Sequence, residues 1–331
     1  FVSLSNYRIT TNEIMNTPKR AVVVGATNGI GKAISCRLAA DGFSVVAVGR
    51  NKEGRADEIV KNLTECSLAA KKSEQDATTQ HEFRPCDAFS LEQVKECAAG
   101  IVRDHSKIDA LVMTQGMATI QGFTPTSEGN DEKLTLHFWS RAAFAALLLP
   151  SLRASSMPGG PVVMTILSGG VHSPYTKYKE DPELRKKYSV KNAADGAGFY
   201  SDLFFDKLAK QPSNQGINFI HSAPGFVSSN WGTEMPFYLK APVRFMQKLG
   251  GKSPSKCASF MVEPILQCAS GDIGLVRPSS TAQGLFIMNE DATSGKLTKL
   301  HTEEAIESVW DTAGTVLGRA GIALDDGTCN N

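Results

Sequence analysis

Short apolar runs and longer amphipathic stretches alternate along the first two thirds of the chain. The run over residues 20–25 consists of consecutive, mostly β-branched apolar residues, which is typical of a parallel strand covered by helices on both faces. Residues 32–41 then have apolar side chains at helical spacing and end at Gly42, and a second apolar run follows over 43–48. This succession predicts a strand, a helix and a strand in one unit.

The alternation continues to residue 222. Further apolar runs predict strands over 81–86, 108–113, 161–167 and 217–221, and amphipathic stretches predict helices over 55–68, 91–105, 131–152 and 199–210. Strands and helices at this interval predict an α/β fold with one Rossmann-type, doubly wound parallel sheet.

No internal repeat or linker divides the chain, so we expect a polar N-terminal leader over 1–19 and a single domain over 20–331. Residues 228–270, which hold Trp231, Phe237, Phe245, Met246 and Phe260, are expected to form an elaborated substrate lid over the carboxyl ends of the strands. The alternative for this segment is a loop that packs as part of the core.

Composition excludes several classes of protein. The 331 residues are 41% hydrophobic, and 35 basic side chains balance 34 acidic ones, which argues against a disordered chain and against nucleic-acid binding. The longest apolar stretch, 142–150, has about half of the roughly 20 residues that a transmembrane helix needs. We therefore expect no transmembrane segment.

Seven cysteines are scattered without a C-x-x-C pair, so the sequence predicts no metal site and indicates reduced thiols in an intracellular compartment. The first residue is Phe1 rather than Met. Removal of a targeting peptide during import into a mitochondrion or plastid would explain this, and so would a trimmed sequence of a cytoplasmic protein.

The segment Gly25-Ala-Thr-Asn-Gly-Ile-Gly31 lies between the first predicted strand and the first predicted helix. Gly25 permits a tight turn, Gly29 lets backbone N–H groups approach a phosphate, and Gly31 allows the helix to pack on the strand. This position predicts a site for a dinucleotide pyrophosphate, made by Gly25, Thr27, Asn28, Gly29, Ile30 and Gly31.

The spacing G-x-x-x-G-x-G resembles that of the short-chain dehydrogenase/reductase family, and the resemblance extends from about Lys19 to Ser229. In this family an acidic residue after the second strand selects NAD and a basic one favours NADP. Arg50 occupies that position with no acid beside it, so the resemblance implies NADP(H), with the guanidinium on the 2′-phosphate. The alternative is a solvated arginine at the end of the strand.

The resemblance implies further cofactor contacts. Asp87 matches an Asp that binds the adenine amino group, although it could equally cap the helix that begins near Leu91. The sequence Met113-Thr-Gln-Gly116 replaces the family's N-N-A-G, retaining Gly116 near the nicotinamide ribose but losing an Asn amide that ties neighbouring strands. Pro224 and Gly225 match the corner that shapes the nicotinamide pocket, and Ser229 matches a residue that contacts the carboxamide.

The family's catalytic tetrad of Asn, Ser, Tyr and Lys is altered in this chain. Ser168 matches the Ser that steadies the substrate oxygen, and Tyr200 is the preferred match to the catalytic Tyr over Tyr188. Four residues beyond Tyr200 stands Phe204 instead of Lys, and His137 stands near the position of the Asn. We treat His137 as either a packed histidine or a proton shuttle.

The resemblance therefore implies an NADP(H)-dependent oxidoreductase that moves a hydride between the nicotinamide and a carbonyl or alcohol, with an apolar small molecule as substrate. The alternative is a cofactor-binding protein with weakened catalysis that serves as an accessory subunit of a larger assembly. Homo-oligomers are common in the family, and the sequence does not settle the oligomeric state.

Overall fold

The computed structural model describes residues 18–51, 54–70, 78–228, 250–277 and 284–325. Its strands form one parallel sheet in the order β3-β2-β1-β4-β5-β6-β7. The predicted doubly wound fold is confirmed. The strands are β1 (Arg20–Val24), β2 (Ser44–Gly49), β3 (Glu82–Pro85), β4 (Ala110–Met113), β5 (Val162–Ile166), β6 (Asn218–Ser222) and β7 (Phe286–Met288).

Helices cover both faces of the sheet. The first three are α1 (Gly29–Ala40), α2 (Ala56–Ala70) and α3 (Leu91–Asp104). Helix α4 begins as Glu132–Leu134, passes through a π-helical turn at Thr135–Trp139 and continues as Ser140–Arg153. The last three are α5 (Val190–Lys210), α6 (Pro254–Ser270) and α7 (Glu303–Arg319).

Two apolar layers hold the helices against the sheet. One layer packs α3, α4, α5 and α7 on one face, with Trp139 and Phe204 among its buried side chains. The other packs α1, α2 and α6 on the opposite face. The strand order reverses between β1 and β4, so the loops after these strands diverge and open a crevice at the carboxyl ends of the strands.

The C-terminal half departs from the sequence prediction in three places. Helix α5 begins at Val190, nine residues before its predicted start at Phe199. Helix α6 occupies part of the predicted lid and buries Cys257, Met261 and Ile265 against the sheet, so this part of 228–270 belongs to the core. Strand β7 and helix α7 were not predicted.

Other predictions fall on residues that the structure does not describe, namely most of the leader and the lid residues Trp231, Phe237, Phe245 and Met246. In the described part of the chain, no helix has the length and the apolar character needed to cross a membrane.

The turn before β5 generates a testable prediction about stability. Gly160 has φ +82°, and a Cβ there would lie 1.9 Å from the carbonyl oxygen of Gly216. Gly42 has φ +84° with no atom within 4 Å of such a Cβ. We expect Gly42→Ala to lower the free energy of unfolding by about 1 kcal/mol through backbone strain, and Gly160→Ala by about 3 kcal/mol because a backbone clash is added. Urea unfolding of both variants would test this, and equal losses would contradict it.

Candidate functional site

A cavity of about 420 Å³ lies at the carboxyl ends of the central strands. The structure brings most of the predicted cofactor-binding residues together in its wall: Gly25, Thr27, Asn28, Gly29, Ile30, Gly31, Arg50, Asp87, Gly116 and Pro224. The cavity therefore extends from the glycine-rich turn, past the ends of β4 and β5, to the corner after β6.

The backbone of the glycine-rich turn requires glycine at three positions. Gly25 has φ +84° and Gly29 has φ +57°, both in the left-handed region that favours glycine. A Cβ on Gly31 would lie 2.3 Å from the carbonyl oxygen of Gly25. Asn28 makes no side-chain capping bond, so the first N–H groups of α1 remain available to an anion at the cavity wall. These features fit a dinucleotide pyrophosphate.

Arg50 and Asp87 lie together at the adenine end that the sequence predicted. The Arg50 guanidinium lies 5.7 Å from the centre of the Phe89 ring and its side chain is exposed. Asp87 Oδ1 accepts a hydrogen bond from the Phe89 N–H at 3.2 Å, whereas Ser90 caps α3 by accepting from the Gln93 N–H. The alternative in which Asp87 caps the helix is therefore wrong.

The corner after β6 forms the opposite end of the cavity. Pro224 lies in the wall, and Gly225 has φ +69° with space for no side chain, since a Cβ there would lie 1.3 Å from Glu290 Oε2. Ser229, the predicted carboxamide contact, lies outside the described residues.

His137 lies in the cavity wall within the π-helical turn of α4. Its Nε2 accepts a hydrogen bond from the Met117 N–H at 3.0 Å, which places the ring proton on Nδ1 in the neutral form. Burial lowers the pKa of His137 to about 3, and the positive charge of Arg141 one helical turn away adds to the shift. The imidazole is therefore neutral at pH 7 and is a weak base.

Arg141 also lies in the cavity wall, and sequence reasoning did not single it out. Its side chain is 1% exposed, and it donates to Thr165 Oγ1 at 2.6 Å, to the Ile166 carbonyl at 3.0 Å and to the Gln115 carbonyl at 2.5 Å. Its Nε has no hydrogen-bond partner among the described residues. The sequence signal that could have identified it is a single arginine within an otherwise apolar helix.

Ser168 follows β5 directly, as predicted, but its hydroxyl is buried and has no partner in the described part of the structure. A Cβ on Gly198 of α5 would lie 2.5 Å from Ser168 Oγ, so α5 approaches the serine through a glycine. Ser168 itself is absent from the described cavity wall, although its neighbours Ile166 and Leu167 belong to it.

Tyr200 does not lie at the cavity. Two residues after Gly198, it points about 200° around the helix from the face that meets Ser168. Its ring packs against Phe138, Trp139 and Tyr175, and its hydroxyl donates to the Pro182 carbonyl at 2.8 Å. Burial raises the pKa of Tyr200 well above its usual value. This geometry corrects the expectation that Tyr200 is the proton donor.

Tyr188, the rival candidate, lies just before Ser189, the N-cap of α5. Its hydroxyl accepts a hydrogen bond from Lys133 Nζ at 3.4 Å, and burial raises its pKa to about 12. Neither tyrosine is in the described cavity wall.

A buried cluster of two histidines and an aspartate lies beside Ser168. Asp202 Oδ1 lies 2.6 Å from His221 Nδ1, and Asp202 Oδ2 lies 3.0 Å from His172 Nε2. His221 Nε2 accepts from the Ser168 N–H at 3.2 Å, so the His221 proton lies on Nδ1. Burial alone would raise the pKa of Asp202, but the two imidazole hydrogen bonds outweigh it and hold that pKa well below its usual range.

Residues 19–176 match the family model described as short chain dehydrogenase. This match agrees with the parallel sheet and with the glycine-rich turn after β1. Over residues 19–176 the chain is similar to the short-chain dehydrogenase family. The predicted resemblance is confirmed, and it indicates an oxidoreductase with a nucleotide-binding Rossmann fold.

Curated relatives are similar in sequence, and a solved structure is similar in fold. An oxidoreductase of Emericella nidulans is 28% identical over 256 residues, which are 77% of this chain and 68% of that protein. The polyprenol dehydrogenase of Mus musculus is 27% identical over 247 residues, 73% of this chain and 70% of that enzyme. A structure of an alcohol dehydrogenase from Thermococcus sibiricus, complexed with 5-hydroxy-NADP, is similar at 19% identity with a TM-score of 0.50, covering 76% and 91% of the two chains.

The lowered pKa of His137 predicts a dependence of stability on pH. As the pH falls below about 6.5, the unfolded chain binds a proton at this residue while the folded protein does not, so stability present above that pH is lost. We expect wild type to lose about 2 kcal/mol more than His137→Asn between pH 7 and pH 5, because the asparagine does not titrate. Urea unfolding at both pH values measures this difference. Parallel losses in the two proteins would contradict the assignment of a neutral imidazole.

Proposed function

We propose that the protein is an NADP(H)-dependent oxidoreductase that transfers a hydride between the nicotinamide and a carbonyl or alcohol. The observation that carries the proposal is the uncapped N-terminus of α1 behind Gly25, Gly29 and Gly31, which offers N–H groups to a pyrophosphate in a cavity at the switch point of the sheet. When bound, NADPH would supply the hydride.

Arg50 supports NADPH over NADH. It lies in the cavity wall after β2, it forms no ion pair with a carboxylate in the described part of the chain, and its guanidinium can bind a 2′-phosphate in a bidentate manner. Asp87, freed from any helix-capping role, is available to the adenine amino group. The pyrophosphate turn and these two side chains together fit the whole adenosine half of the cofactor.

The nicotinamide half would lie between Gly116, Pro224 and the end of β5. In this position a substrate carbonyl would have Ser168 behind the cavity wall and His137 and Arg141 in it. With Tyr200 turned away, the protein's own part in the reaction would be to orient the carbonyl and to stabilise its oxygen. The mouse relative is named for an alcohol, polyprenol, which agrees with an apolar alcohol or carbonyl as substrate.

A second candidate function is a cofactor-binding accessory protein with weakened catalysis. The face of α5 that meets Ser168 has Gly198, and one turn earlier Ala194, so neither position offers the Tyr and Lys that act four residues apart in the family. Under this candidate NADPH would bind with ordinary affinity, and turnover would be absent for every carbonyl tested.

The cofactor preference has a direct test. We expect NADPH to bind more tightly than NADH, and Arg50→Ala to weaken NADPH binding about tenfold or more while leaving NADH binding nearly unchanged, because only NADPH has the 2′-phosphate. Calorimetric titration measures the four affinities. Arg55→Ala is the matched control, since Arg55 is also exposed and lies outside the described cavity wall. Equal affinities of wild type for the two cofactors would refute the role of Arg50.

Tyr200 provides a second test. We expect Tyr200→Phe to lower the free energy of unfolding by about 1–2 kcal/mol, because the buried Pro182 carbonyl loses its donor, and to leave NADPH affinity and any turnover unchanged. Tyr175→Phe is the matched control, since its hydroxyl donates to the Asp181 carbonyl at 2.9 Å in a similar environment. Loss of turnover in Tyr200→Phe, with intact NADPH binding, would restore Tyr200 as the proton donor.

A further inference from the structure

Arg141 has hydrogen-bonding capacity that the protein does not use. A guanidinium has five N–H donors, and the three bonds to Thr165, Ile166 and Gln115 leave two of them, including that on Nε, without a protein acceptor among the described residues. All three acceptors are uncharged oxygens, so no carboxylate in the described structure neutralises the cation. An uncompensated buried charge is costly, so a ligand that supplies the missing partner would be bound favourably.

The position of Arg141 indicates which ligand that is. The described cavity wall has two arginines: Arg50 at the adenine end and Arg141 beside Leu136, His137 and Ile166 at the other end. The pyrophosphate is accounted for by the turn before α1 and the 2′-phosphate by Arg50. The anionic groups of the cofactor are therefore already matched, and Arg141 lies at the end of the cavity where the nicotinamide and the substrate would meet.

A second polar atom without a hydrogen-bond partner belongs to Gln115, whose backbone carbonyl accepts a hydrogen bond from Arg141. Gln115 Oε1 is buried without a partner in the described chain, and Gln115 belongs to the cavity wall. This end of the cavity therefore has two polar side chains, Arg141 and Gln115, with hydrogen-bonding capacity that the described residues leave unused.

We propose, on the basis of the function proposed above, that Arg141 binds the substrate oxygen that becomes negatively charged during the reaction. A carbonyl carbon that accepts a hydride leaves the electron pair of the C=O π bond on its oxygen, and this alkoxide then takes a proton from water. A guanidinium held in place by three protein oxygens needs no reorganisation to stabilise that charge. It would do the work that the family assigns to its Tyr and Lys side chains, which the α5 face of this chain lacks.

Stable anions test this binding without turnover. We expect 4-nitrophenolate, which like an alkoxide has one anionic oxygen, to bind to the NADP+-loaded protein, and Arg141→Met to weaken that binding at least about tenfold. Arg141→Lys should retain part of the affinity, and neutral 4-nitroanisole should not respond to either variant. Arg55→Ala at saturating NADP+ is the matched control and should leave the anion affinity unchanged, since Arg55 is exposed and lies outside the described cavity wall. The absorbance of the phenolate reports binding.

Benzoate distinguishes the source of the negative charge. Tighter binding of benzoate than of 4-nitrophenolate would assign Arg141 to a carboxylate substituent of the substrate and overturn the assignment to the reacting oxygen. Equal anion affinities in wild type and in folded Arg141→Met would overturn the proposal, and so would a lack of anion binding to wild type. Arg141 would then serve only to connect β4 and β5. Titration with NADP+ alone shows separately whether the proposed cofactor function fails.

Discussion

The buried guanidinium of Arg141 connects two strands of the sheet at the edge where the cavity opens. Arg141 reaches from α4 to the carbonyl of Gln115 after β4 and to the end of β5 at Thr165 and Ile166, so a single side chain links two neighbouring strands at their carboxyl ends. The family resemblance implies an Asn amide for such a link, and Met113 stands in its place. Because the loops after β4 and β5 form the cavity wall, their separation depends on this bond network.

The approach of α5 to the end of β5 is a second constraint on the site. Space for Ser168 exists only because position 198 is a glycine, and Asp202, one turn later on the same face, engages His221 and His172. Since helical positions two apart point in nearly opposite directions, this contact turns Tyr200 into the core. Placing Gly198 against Ser168 therefore determines which side chains of α5 can reach the cavity.

The sequence predicts the parts of the structure that depend on local pattern. Consecutive apolar residues in β1, β2 and β4 and the glycines of the first turn are local signals, and the fold and the cavity wall around Gly25 to Gly31 follow from them. The strand-end positions Arg50, Asp87 and Gly116 follow from parallel topology, which brings carboxyl ends to one edge.

The rotation of α5 could not be predicted in the same way. Its start lies in a polar segment, and the N-cap Ser189 precedes residues with no clear apolar period, so the sequence pattern first becomes helical near Phe199. Because the predicted helix starts nine residues later than α5 does, the sequence does not determine which side of the helix carries Tyr200. Arg141 was missed for a related reason, because an arginine within an apolar helix can be solvated or buried, and only tertiary contacts to β4 and β5 decide which.

Two groups of buried charges lie near Ser168: the cluster of His172, Asp202 and His221, and the guanidinium of Arg141. They differ in whether a neighbouring side chain supplies the opposite charge. Both His172 nitrogens face acceptors, Asp202 and the Ser173 carbonyl, and although burial opposes it, the bond to Asp202 raises the pKa of His172. The raised pKa favours the protonated form of His172, whose positive charge would offset the negative charge of Asp202. His221 stays neutral because burial lowers its pKa and because its Nε2 is occupied by the Ser168 N–H.

A metal ion bound by these three side chains would require His221 Nδ1 to lose its proton. The proton would move to Nε2, which would then meet the Ser168 N–H as a second donor. The cluster is therefore satisfied as it stands and serves to fix the loop that presents Ser168. Arg141, in contrast, has no internal counter-charge among the described residues, and it belongs to the cavity wall. Of the two charged groups, the guanidinium is the one whose charge balance is completed by a bound substrate.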